Sequence, residues 1–126
     1  VALPPHRVEV PAVTALPLPT EAECQTAIIE AAHMFGYRVH HQRPARLADG
    51  RIRTTIQGDK GWPDLVIAGH GRCWAIELKR PGNPPSPEQV AWITALCAAG
   101  IDARVLIVPT SQQAFIDEMQ RAKDTR

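Results

Sequence analysis

Two apolar runs, Asp64–Ala68 and Cys73–Lys79, flank Gly69-His70-Gly71-Arg72 and constrain the fold more than any other feature of the chain. Their β-branched and bulky residues suit strands, and the short spacer leaves room only for a tight hairpin. A symmetric turn centred on His70 and Gly71 sets Gly69 opposite Arg72 and Ala68 opposite Cys73. By steps, it sets Asp64 opposite Glu77. Residues directly opposed share a face, with Cβ atoms about 4.5–5.5 Å apart. Two carboxylates at that distance repel, so without a cation one of them should hold its proton unusually tightly. Lys79 lies two residues beyond Glu77 and shares that face, because strand side chains repeat every second residue.

The opposite face, formed by Leu65, Ile67, Trp74, Ile76 and Leu78, is wholly apolar. The first face carries Val66, Ala68, Cys73 and Ala75 before it turns charged at Asp64, Glu77 and Lys79. Both faces are therefore expected to be covered, with the charges gathered at one end of the sheet. Charges placed there are costly unless paired or bound to something. The simpler explanation is a cross-strand pair in which Lys79 neutralises one acid. The chemical explanation is a site for a hard divalent cation such as Mg²⁺, which takes carboxylate oxygens and water. Two acids, a cation and a nearby ammonium are the minimum equipment for metal-assisted cleavage of a phosphodiester.

The rest of the chain frames this hairpin. Its 126 residues, 44% hydrophobic, fit one domain with its own core. Residues 1–19 hold five prolines and little periodicity, and read as an extended arm ahead of a domain spanning 20–126. Thr20 and Glu23 form a capping box opening a helix that buries Cys24, Ile28, Ala31, Ala32 and Phe35, and Gly36 ends it. Residues 37–41 alternate as a strand, 43–50 read as a loop, and 51–56 as a short strand. Pro81–Pro87 is a break. Ser86, Pro87 and Gln89 then start a second helix, expected to bury Val90, Ile93, Leu96 and Cys97. Residues 103–108 form an apolar strand entered by a crossover, and 111–122 a last helix. The three cysteines lack metal-ligand spacing and read as reduced, buried thiols of a cytoplasmic protein. No apolar run is long enough to span a membrane, and no secretion signal opens the chain.

The PD and ExK elements on a hairpin resemble the PD-(D/E)xK nuclease superfamily. More closely, the chain is similar to the small VRR-NUC nucleases of bacteriophages and bacteria. The resemblance runs from about Thr20 to Glu118, through TEAECQ, Gly36-Tyr37, GDKGWPDL, AIELKRP and SPEQVAW. It implies an α/β fold with a restriction-endonuclease-like αβββαβ core, a mixed sheet flanked by helices, and Mg²⁺- or Mn²⁺-dependent cleavage of DNA. It also implies that Asp64, Glu77 and the backbone carbonyl of Leu78 hold the metal and that Lys79 orients the attacking water. Gln89 matches a glutamine usual in the helix after the ExK strand, beside its capping role. Glu21 matches a helix-borne acid, with Glu23 as its competitor. Helical spacing independently puts Glu21 at the edge of the buried stripe, where it is either a third carboxylate ligand or a first-turn acid complementing the helix dipole.

Net charge is only +1, so a DNA-binding surface must be local. Arg38, His40, His41, Arg43, Arg46, Arg51, Arg53 and Lys60 crowd the segment before Pro63, against Asp49 and Asp59. Of these, His41, Arg43, Arg46, Arg53 and Lys60 are the candidate phosphate contacts, and His41 is the best placed. A solvated loop face is the plain alternative. The expected activity is a divalent-metal-dependent DNA endonuclease, structure-selective for branched or junction DNA because residues outside the core are few. The rivals are a sequence-specific endonuclease and a non-catalytic nuclease-like accessory module that binds DNA. Cutting two strands needs two sites, which makes a homodimer an expected partner arrangement.

Overall fold

The computed structural model describes residues 17–42, 45–46, 48–53 and 56–125, and of residues 45, 46, 52 and 53 it describes the backbone alone. Most of the expected proline-rich arm, residues 1–16, lies outside the described residues. In chain order the elements are α1 (Glu21–Met34), β1 (Arg38–His41), β2 (Ala45–Arg46), β3 (Ile52–Arg53), β4 (Leu65–Gly69), β5 (Arg72–Lys79), α2 (Pro87–Ala98), β6 (Asp102–Ile107) and α3 (Gln112–Asp124). The main sheet has the order β1-β4-β5-β6, and β2 pairs with β3 in a separate ribbon. With α1 in front and α2 crossing between β5 and β6, this is the expected αβββαβ core. Residues 45–46 and 52–53 form an antiparallel ribbon, so the stretch read as a loop from 43 to 50 contains a strand.

The hairpin register is the one the turn dictates. Leu65 pairs with Ile76, Ile67 with Trp74 and Gly69 with Arg72. His70 (φ 50°) and Gly71 (φ 75°) are both left-handed, the backbone of a two-residue turn whose twist matches its strands. Glycine adopts this freely. The histidine is held there by its Nε2, which donates to the carbonyl of Phe35 at 2.7 Å and ties the turn to the end of α1. The strand β6 runs parallel to β5, with Leu78 beside Leu106, as a helical crossover requires.

The apolar face of the hairpin is the core. Leu65, Ile67, Trp74, Ile76 and Leu78 pack with Cys24, Ile28 and Ala32 of α1 and with Phe115 and Met119 of α3. The Trp74 ring meets those of Tyr37 and Phe115 edge-on, at 5.4 and 5.8 Å between centroids. The Tyr37 hydroxyl donates to the Met119 carbonyl at 2.7 Å, which satisfies the polar tip of an otherwise buried ring. Arg104 forms ion pairs with Asp102 and Glu118 and lies over the Phe115 ring, fastening α3 to β6.

The helix α2 covers the other face and departs from expectation. None of its residues is buried: Val90 and Cys97 are exposed, and Ile93 and Leu96 are half-buried. Its apolar spacing is real, but among the described residues no further layer of protein packs over it. Of the three cysteines only Cys24 is buried. No helix among the described residues is long and apolar enough to cross a membrane.

Candidate active site

At the open end of the hairpin the ladder stops just short of the two acids. Leu65–Ile76 is the last pair and the chain bends at Asp64, which still lies beside Glu77 and Leu78. The side chains confirm that approach. The Asp64 backbone N–H donates to Glu77 Oε2 at 3.1 Å, and the Leu78 N–H donates to Asp64 Oδ2 at 2.8 Å. Each acid is thus positioned by the backbone next to the other.

Pro63 has a specific effect here. Within a strand, the N–H and C=O of one residue point to the same side. The Leu78 N–H faces β4, and the Lys79 carbonyl faces β6, where it accepts from the Val108 N–H at 2.9 Å. The Leu78 carbonyl therefore also faces the β4 side, beyond the last pair of the ladder. Proline has no N–H to offer a partner strand, so Pro63 cannot extend the ladder on that side.

Glu77 is the only buried charged side chain among the described residues, 2% exposed. Burial first, and the adjacent Asp64 charge second, push its carboxyl up to about 8. The Lys79 ammonium, 3.8 Å from Oε1 and itself largely covered, pulls the other way without overcoming burial. Near neutral pH the metal-free pair thus retains a proton. A divalent cation would let both acids ionise. Two adjacent carboxylates on one rim are a donor set that suits Mg²⁺ or Mn²⁺.

Gln89 joins α2 to this rim. It is the N3 residue of the capping box: its Oε1 accepts from the Ser86 N–H at 2.8 Å, while its own N–H donates to Ser86 Oγ. The amide nitrogen left over donates to Glu77 Oε1. Capping and site contact are therefore two ends of one amide, which fixes its orientation.

His41 closes the other side. Its Nδ1 is 3.0 Å from the Asp64 carbonyl and 2.9 Å from the Gln25 side-chain amide. A carbonyl only accepts, so Nδ1 carries a proton; the Gln25 amide, turned by 180°, presents its oxygen to the same N–H. Lys60 pairs loosely with Glu88 at 3.6 Å on the surface. Arg43 lies outside the described residues, as do the side chains of Arg46 and Arg53. Glu21 opens α1 half-buried, and Glu23 is committed to the Thr20 capping box. Among the described residues no three His, Cys, Asp or Glu side chains gather closely enough to hold a metal. Glu21 therefore does not extend the Asp64–Glu77 pair into a three-acid cluster.

A cleft of about 330 Å³ opens beside the pair. His41, Ile56, Lys60, Trp62, Asp64 and Gln89 are among its walls. The sequence reading missed two residues that shape it. A Cβ on Gly61 (φ 101°) would come within 2.5 Å of the Glu88 backbone, so only glycine lets this loop lie on the first turn of α2. Trp62 then stands edge-to-face with Trp92 of α2, centroids 4.9 Å apart. The legible signal was the tripeptide Trp62-Pro63-Asp64, a tryptophan rigidly spaced from a site acid.

A family model described as the VRR-NUC domain matches residues 17–112 of the chain. A solved structure titled "VRR_NUC domain" is 21% identical, with 77% of this chain and 94% of that one covered at a TM-score of 0.57. Another, titled "VRR_NUC domain protein", is 22% identical, with 84% and 92% covered at a TM-score of 0.60. No curated protein matches significantly.

Proposed function

Since the chain belongs to the VRR-NUC domain family, a nuclease domain of the PD-(D/E)xK type, we propose that it is a divalent-metal-dependent DNA endonuclease centred on Asp64 and Glu77. The observation that carries this reading is the backbone-enforced meeting of the two acids, with Lys79 on their face and Glu77 shifted toward its neutral form. In a structural salt bridge, one acid beside Lys79 would suffice. Placing a second acid on the first destabilises the metal-free site and is explained by a bound cation.

Asp64, Glu77 and the Leu78 carbonyl would hold Mg²⁺ or Mn²⁺, which when bound supplies Lewis acidity toward a phosphate oxygen and a more acidic water. Lys79 would orient an attacking water and offset the negative charge that builds up on the phosphate. Gln89 donates to Glu77 Oε1 and so fixes the orientation of that carboxyl group. Glu21 remains a peripheral candidate, set apart from the pair and suited to the dipole at the α1 N-terminus. His41 at the cleft wall and Lys60, with Arg43, Arg46 and Arg53 from the basic segment, supply phosphate contacts. Their attraction should fall steeply with salt.

The substrate assigned in this reading is branched or junction DNA. A homodimer would supply a second site for the second strand. Incubating the protein with single-stranded, duplex, splayed and branched DNA in Mg²⁺, Mn²⁺ or EDTA tests the reading, with Asp64→Asn as control. Metal-dependent cutting that the variant loses, with binding retained, is the expected result. Tight binding without cutting in either metal would make the domain an accessory module instead.

A further inference from the structure

Two residues ahead of Asp64 the chain leaves an indole in solvent. Trp62 is 38% exposed and is the one aromatic among the exposed large apolar side chains of the described residues. Its position is fixed from three sides. Gly61 seats the loop on the α2 backbone, Pro63 restricts the following link, and Trp92 meets the ring at an interplanar angle of 87°. Trp92 is itself anchored, its Nε1 donating to the Asp59 carbonyl at 3.1 Å. In a perpendicular pair, Trp92 covers at most one face of Trp62. At least one face of the indole is left unstacked by it, and the ring lines the same cleft as Asp64, His41 and Gln89. Two residues of extended chain span no more than about 7 Å, roughly the spacing of neighbouring phosphates along a strand. A cleft of about 330 Å³ has room for a flat heterocycle with its sugar.

We propose that Trp62 is the stacking platform for an unpaired nucleobase adjoining the scissile phosphate, so that the domain engages DNA where a nucleotide is single-stranded or splayed. Rigid aromatic faces bind bases without reading their identity, because every base has a π-face. Within continuous duplex both faces of each base are already stacked, and the platform has nothing to engage. The proposal rests on the nuclease reading above for its placement of the phosphate at Asp64 and Glu77. It adds the element that makes the substrate choice a physical property of this cleft.

The test compares wild type, Trp62→Phe and Trp62→Leu. Anisotropy in EDTA reports binding of a labelled oligothymidine and of a closed dumbbell duplex. Trp62→Leu should weaken the single strand about tenfold and Trp62→Phe by no more than about threefold, with the duplex little changed. On a substrate with an unpaired nucleotide, KM should rise in Trp62→Leu while kcat holds. Oligothymidine should quench the wild-type tryptophan fluorescence, and Trp62→Phe, which keeps Trp74 and Trp92, should lose that quench. This second readout decides the matter even if Trp62→Leu does not fold. Single-strand binding unchanged in Trp62→Leu, equal weakening of strand and dumbbell, or a quench that survives in Trp62→Phe would overturn the stacking site. If wild type cuts with Mg²⁺ or Mn²⁺ but Trp62 proves inert, the stacking site fails alone. If Trp62-dependent binding appears without cutting, the nuclease reading fails and the platform stands.

Discussion

The helices α1 and α2 begin with the same device and end up doing different work. Each opens with a hydroxyl at the N-cap and an acid or amide at N3 that reach back to one another's backbone N–H. At α1 the N3 residue is Glu23, exposed, and the box only starts a helix whose Cys24, Ile28 and Ala32 are buried in the core. At α2 the N3 residue is Gln89, and its spare N–H reaches Glu77. A glutamate there would cap equally well and would put a third negative charge at the rim. The difference extends to the two sides of the sheet. The side under α1 and α3 is apolar and tightly covered, whereas the side under α2 carries the unfavourable acid pair beneath a helix with no buried residue. Stability is concentrated on one side and chemistry on the other.

Substitutions that separate these sides make the contrast measurable. The largest effects belong to the acids. Asp64→Asn and Glu77→Gln should each lower the cleavage rate by on the order of 10³-fold or more under saturating Mg²⁺, without loss of the folded state. For Glu77→Gln, chemical denaturation in EDTA should show unchanged or greater stability; a marked loss would show that the charge pair supports the fold. On the opposite side, Trp74→Ala should cost about 3–5 kcal/mol in the same denaturation experiment. Residual activity at low temperature should then track the folded fraction.

Proton linkage gives an intermediate effect. The Glu77 carboxyl, near 4.5 in an unfolded chain, lies at about 8 in the metal-free fold. The folded state therefore binds the extra proton, and this contribution is fully present below about 4.5 and is lost as pH rises through about 8. Metal-free stability should decline across that window, while added Mg²⁺ restores it and releases protons measurable by calorimetry in buffers of different ionisation enthalpy. A flat profile would mean that Glu77 ionises freely.

The smallest effects distinguish the two caps. Glu23→Ala should cost up to about 1 kcal/mol and leave kcat unchanged. Gln89→Ala should cost a similar amount of stability but also lower kcat about tenfold, because Glu77 loses a hydrogen bond to its charged form. Equal kinetics in the two variants would reduce Gln89 to a cap.

Local rules made the hairpin legible. Turn length, left-handed backbone at His70 and Gly71, and side-chain alternation depend on neighbours a few residues apart, so the register and the Asp64–Glu77 contact could be worked out by counting. Both capping boxes were equally readable. The burial of α2 was not, because the spacing of Val90, Ile93, Leu96 and Cys97 marks an apolar face without saying how much protein lies outside it. The reach of Glu21 was not legible either, since a helical position gives a direction but no distance to another element.

The sequence by itself determined which groups could meet: an acid pair across a hairpin and a lysine on its face. These follow from covalent geometry and short-range pairing. Only the tertiary structure decided what those groups became. Packing α1, α3 and α2 around β5 buried Glu77 and raised its proton affinity, turned the Gln89 amide onto it, clamped His41 to the Asp64 carbonyl, and let Gly61 seat Trp62 at the edge of the cleft. Desolvation and close approach between distant elements depend on the whole packed arrangement, and no spacing within one segment encodes them.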